Sequence, residues 1–142
     1  MPIEEDDANH SEQLHLAARD GDLQRVQQLL GEGYEINAFD DLGKTALHYA
    51  VECERFDVAQ YLIRRGADVN AHDEGRIGNT PLGEVAGNCS LRIAKLLIDA
   101  GADPAVPGWM QLTALDKAVK RRRGDGPSVY ALLIRAAATR KP

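Results

Sequence analysis

Beyond residue 10, clusters of Leu, Ile, Val and Ala alternate with short stretches of Gly, Asp and Asn. Within the clusters the apolar positions fall three or four apart, as in Val26, Leu29 and Leu30, in Val58, Leu62 and Ile63, and in Ile93, Leu96 and Leu97. That spacing predicts a helix with one buried stripe. Each of these helices is expected to stop at a glycine (Gly33, Gly66, Gly101), which enters the left-handed conformation of a helix end at no steric cost. A shorter helix is predicted before each. Its start is marked by Thr45, Thr80 or Thr113, whose hydroxyls can accept backbone N–H groups, and Pro81 falls where a first-turn proline costs nothing. In the second copy Leu47 and Ala50 form the buried side, and the small alanine admits a close neighbour. After the second helix, segments such as Val69-Asn70-Ala71-His72-Asp73 pair an extended apolar position with turn residues and predict a β-like finger.

The same order of elements recurs along the chain. Ala46-Leu47-His48-Tyr49-Ala50, running on to Gly66-Ala67-Asp68-Val69-Asn70-Ala71, repeats Leu14-His15-Leu16-Ala17 and Gly33 to Ala38 without a gap at an offset of 33 residues. A third copy, from Asn79-Thr80-Pro81-Leu82 to Gly101-Ala102-Asp103, is offset by 35. A fourth runs from Leu112-Thr113-Ala114-Leu115 to Ala131-Leu132-Leu133-Ile134 and is longer around residues 120 to 126.

Thr45-Ala46-Leu47-His48, Thr80-Pro81-Leu82 and Gly66-Ala67-Asp68-Val69-Asn70-Ala71 resemble the opening and the helix-to-finger link of the ankyrin repeat. The resemblance implies an all-α solenoid of antiparallel helix pairs joined by β-hairpin-like fingers. Its repeats would span residues 11–41, 42–74, 75–108 and 109–142 as one domain, behind an acidic flexible tail at 1–10. The first and last copies depart most from the pattern and read as caps, with Gln24, Gln27 and Gln28 at one end and Arg135, Arg140 and Lys141 at the other supplying polar faces. Four copies exceed the roughly three that such a stack needs.

Composition narrows the function classes. The 142 residues are 44% apolar and 27% charged, ordinary for a folded domain, with aromatic residues at only 5%. The net charge of −5 argues against nucleic acid as a partner. It is also a misleading average, because residues 1–108 hold 9 Lys/Arg against 20 Asp/Glu, a net −11, while residues 109–142 hold 8 against 2, a net +6. Such polarity suits steering of a partner that carries a basic patch, and it equally suits plain solvation of exposed faces. Cys53 and Cys89 are too few for a disulfide framework. No apolar run reaches the length of a membrane span, and Glu4, Glu5, Asp6 and Asp7 are the opposite of a basic signal region. A monomeric cytoplasmic protein away from membranes is expected.

Motifs for chemistry are scarce. Gly43-Lys44-Thr45 matches the end of a phosphate-binding loop, but Ala38 stands where its first glycine belongs. Gly31 and Gly33 follow a helix rather than open one, which removes a dinucleotide site. His15 and His48 occupy equivalent places and are expected to bond the backbone of the turns, as the ankyrin resemblance implies. Cys89 reads as small core filler and Cys53 as exposed. No catalytic residue, metal site or cofactor is expected.

In the ankyrin family, partners bind a concave side made of finger tips and first-helix ends. Carried over by position, the resemblance implies a surface of Phe39, Asp41, Leu42 and Lys44, then His72, Arg76, Ile77 and Asn79, then Trp109, Met110 and Leu112, with Arg19, Asp20, Glu52, Cys53, Lys120 and Arg121 at the helix ends. Independently of the family, Phe39, Ile77, Trp109 and Met110 are large apolar groups in turns, where solubility favours polar ones. They fit interface anchors and also plugs between neighbouring fingers. The expected function is non-catalytic binding of another protein. The alternative is an inhibitor or immunity-type protein that neutralises an enzyme, such as a nuclease, by acidic complementarity.

Overall fold

In the computed structural model, residues 3–73, 75, 78–121 and 126–139 are described, with side chains from Glu12 onward. Among these residues all regular structure is helical. The helices are α1 (Ile3–Asp20), α2 (Leu23–Gly31), α3 (Ala46–Glu52), α4 (Phe56–Arg64), α5 (Pro81–Val85), α6 (Leu91–Asp99), α7 (Ala114–Val119) and α8 (Gly126–Thr139), with one 3-10 turn at Trp109–Gln111. The odd-numbered helices stack in succession from α1 to α7, α2 lies on α4, and α6 lies on α8. This is the helix-pair solenoid expected from the repeats.

The helix ends follow from local chemistry. Thr80 Oγ1 accepts the Gly83 N–H at 2.9 Å, and Thr113 and Asp116 cap each other's backbone at 3.1 and 2.9 Å. Two further caps carry no threonine: Asp22 accepts from Arg25 N–H and Ser90 from Ile93 N–H, each at 3.1 Å. Gly33, Gly66 and Gly101 all adopt positive φ, at 97°, 98° and 101°. A Cβ would be strained there.

The core is a row of leucines. Leu14 and Leu29, Leu47 and Leu62, and Leu82 and Leu97 are fully buried pairs, one from each helix of a repeat, and Leu133 continues the row in the fourth. Each contributes about 1.5–3 kcal/mol by leaving water. Ala17, Ala50, Val85 and Ala118 share one buried register position, whose small side chains let successive inner helices approach.

The helical backbone of α1 begins at Ile3. The fingers contain no strand among the described residues. Finger 1, residues 32–45 between α2 and α3, closes on the Asp40 N–H to Lys44 carbonyl bond, and finger 3, residues 100–113 between α6 and α7, on Gly108 N–H to the Leu112 carbonyl, each at 2.9 Å.

Candidate functional site

The fingers are held by histidines on the inner helices. His15 Nε2 lies 2.9 Å from the Ala38 carbonyl and 3.1 Å from that of Lys44, so one ring clamps both sides of finger 1. One repeat on, His48 Nδ1 accepts the Thr45 N–H at 2.9 Å and Nε2 donates to the Asn79 carbonyl at 2.7 Å. Burial lowers the His48 pKa to about 4. The ring is therefore neutral, with its proton on Nε2, and acts as a structural link rather than a ligand or base.

Repeat three has Gly83 where a histidine would stand, and the cross-link is rebuilt from other groups. Asn79 Oδ1 accepts the Trp109 N–H at 2.9 Å, and Lys117 Nζ donates to the Gly83 carbonyl. A Cβ on Gly108 would sit 2.0 Å from that amide oxygen, so only glycine lets finger 3 come this close. Beyond it, Met110 and Gln111 both adopt left-handed backbone, with φ 58° and 61°. That conformation costs about 1–2 kcal/mol per residue. It leaves Trp109 57% and Met110 68% exposed on a turn pinned from behind.

Finger 1 is electrostatically dense. Asp40 accepts the N–H groups of Leu42 and Lys44, each at 3.0 Å, and the hydroxyl of Tyr49. Burial pushes its pKa up, but these bonds more than offset it and hold the carboxylate below its usual range. Tyr49 is correspondingly raised, by burial and then by Asp40. Lys44 Nζ meets both oxygens of Glu52, at 2.7 and 3.2 Å. The pair is uneven. Burial would lower the lysine, yet Glu52 holds it above its ordinary value; the Glu52 carboxyl is itself raised by burial, aided by Glu84 and Asp40, despite the lysine. Gly43-Lys44-Thr45 is thus a finger turn whose lysine is already committed to a carboxylate.

Of the surface expected from the sequence, Phe39, Asp41, Leu42, Trp109, Met110 and Lys120 are exposed. Lys44, Glu52, His72, Leu112 and Arg121 are half-buried, and Arg121 reaches the Ala86 carbonyl at 3.3 Å. Asn79 is only 7% exposed and turned inward, so it supports finger 3 instead of presenting itself to solvent. Arg76 and Ile77 lie outside the described residues. Cys53 is exposed and Cys89 buried.

The structure brings Asp41 and Leu42 together with Glu12, His15, Leu16, Arg19, Asp40 and Tyr49 around a cavity of about 240 Å³ between α1 and finger 1. Glu12, Leu16, Asp40 and Tyr49 were not among the residues expected from the sequence. Leu16 did carry a signal: in the repeat register it aligns with Tyr49, Glu84 and Lys117, three polar-tipped residues. Among the described residues no three His, Cys, Asp or Glu converge to hold a metal ion. Nor is any described helix long and apolar enough to cross a membrane.

A stack of short antiparallel helix pairs, each closed by a left-handed glycine and followed by a pinned finger, defines the class of a helical repeat solenoid. The chain belongs to the ankyrin-repeat family: the family pattern of ankyrin repeats in three copies matches residues 3–73 and that of a single ankyrin repeat matches residues 77–109. It is 36% identical over 113 residues to the nuclear factor NF-kappa-B p105 subunit of Mus musculus, covering 79% of this chain and 12% of that protein. It is 34% identical over 129 residues to inversin of Mus musculus, covering 87% and 11%. With the putative E3 ubiquitin-protein ligase XBAT34 of Arabidopsis thaliana it shares 32% over 126 residues, covering 88% and 32%. The chain thus spans about a third or less of these relatives. Ankyrin repeats are protein–protein interaction modules.

Proposed function

We propose that the repeat domain, residues 11–142, binds another protein without catalysis, through its finger tips and the exposed ends of its inner helices. The observation that carries this reading is finger 3. Trp109 and Met110 stand in solvent on a strained turn that Asn79 and Gly108 hold from behind. Exposed apolar groups on a pre-organised support lose little entropy on association, and tryptophan is the residue type most enriched among binding hot spots. The net −11 of residues 1–108 favours a partner that carries a basic patch. The two cysteines, both free thiols, suit a reducing cytoplasmic setting.

The test is affinity capture of a partner from the native cell, followed by titration of the purified pair with Trp109→Ala and Met110→Ala combined. Loss of a central anchor costs at least about 2 kcal/mol, so binding at least tenfold weaker is expected. Unchanged affinity in a variant that keeps its thermal stability would remove finger 3 from the interface.

A further inference from the structure

The cavity beside finger 1 has a definite chemical character. By composition its lining comprises an apolar half, Leu16, Leu42 and the Tyr49 ring, and an acidic half, Glu12, Asp40 and Asp41, with His15 and Arg19 completing it. Leu16 and Leu42 are 45% and 51% exposed, so the apolar half faces water as it stands. Arg19 in the lining turns its guanidinium to Asp20 at 3.3 Å, and the Lys44 ammonium, paired with Glu52, lies 5.4 Å from the centre of the Tyr49 ring. Asp40 is fixed in place by its three hydrogen bonds and remains an anion. At about 240 Å³ the space is smaller than the ~300–1,000 Å³ of most small-molecule and cofactor pockets and matches one long side chain.

The geometry points to a socket for a single arginine side chain of a partner protein, its methylene stem lying on Leu16 and Leu42 and its guanidinium among the carboxylates of Glu12, Asp40 and Asp41. An apolar side chain of equal length would strip water from the acidic half without compensation, and an acidic one would meet like charge. Lysine fits less well. Its compact ammonium is more strongly hydrated and cannot present the paired, coplanar N–H groups that a guanidinium offers to carboxylates. The socket rests on the protein-binding function proposed above and gives the basic patch of that partner one anchoring residue.

The probe is N-acetyl-arginine amide, titrated into the full chain while backbone amide chemical shifts are followed by NMR, with the lysine and norleucine analogues in parallel. Saturable shifts centred on Leu16, Asp41, Leu42 and Tyr49 are expected, strongest for arginine and at least fivefold weaker for norleucine. Asp41→Asn and Leu42→Ala, both at exposed positions, should each weaken arginine binding at least threefold with the rest of the spectrum unchanged. The proposal is overturned by absence of saturable shifts at this site, by equal binding of norleucine, or by variants that bind arginine as the original chain does. The titration needs no partner, so its failure leaves the test at Trp109 and Met110 standing. Failure of that test in turn leaves the socket measurable.

Discussion

His48 shows how one side chain can serve two elements and set a pH limit on the stack. It is fully buried, caps α3 through the Thr45 N–H and holds the Asn79 carbonyl of the next finger. Burial lowers its pKa from 6.5 to about 4, with the Glu84 and Asp40 carboxylates opposing that shift and Lys44 reinforcing it. Between those pH values the unfolded chain binds a proton that the folded chain refuses, so stability rises with pH across this window and is lost as pH falls through it. The loss amounts to about 3 kcal/mol at most. Glu52, whose carboxyl is raised, works in the opposite direction, while Asp40 acts mainly below the window. Urea unfolding at pH 7, 5.5 and 4 should show the decline, and His48→Gln, which cannot titrate, should flatten it. Parallel slopes for the two proteins would mean that the histidine is not the titrating group.

At the level of elements, neighbouring repeats are tied by asparagines as well as by buried leucines. Asn70 Oδ1 accepts the Asp103 N–H at 2.7 Å and Nδ2 donates to the Gly101 carbonyl at 3.1 Å, while Asn37 accepts the Asp68 N–H at 2.8 Å. Ala105, in the equivalent place of repeat three, has no such group. Asn70→Ala should therefore cost about 1 kcal/mol, and more than Asn37→Ala, by thermal or urea unfolding, since it removes two hydrogen bonds between repeats rather than one. Equal losses would mean that solvent satisfies the Gly101 carbonyl. What the sequence made legible was whatever recurs: the glycine stops, the threonine starts and the histidine links each repeat at the family spacing and reflect local backbone chemistry. What escaped is where a repeat departs from its neighbours. Asn79 reads as a finger tip by position, and turns inward because repeat three lacks the histidine that would otherwise anchor its finger. The socket escaped for a related reason, since Leu16, Tyr49 and Asp41 come from three segments and only the stacked fold brings them together.

The whole molecule behaves as a row of units whose stability lies in the contacts between neighbours. Its charge follows the same axis, from net −11 over residues 1–108 to +6 over the remainder, so the average of −5 describes neither part of the stack. Position along the row then decides what a core mutation does. Leu62 in α4 and Leu133 in α8 are both fully buried, and truncating either to alanine removes comparable apolar contact, about 2–5 kcal/mol. Repeat two packs on both sides, with α3 between α1 and α5, so weakening it separates the first repeat from the third. Within the described stack, the fourth repeat meets the rest through α5 against α7 and α6 against α8. Leu133→Ala should therefore release α7 and α8 locally while α1 to α6 keep their protection, giving an early transition of small amplitude in hydrogen exchange. Leu62→Ala should lower protection through all four repeats together. If Leu133→Ala instead lowered protection uniformly, the stack would be unfolding as one cooperative unit, and its stability would not be a sum over neighbouring repeats.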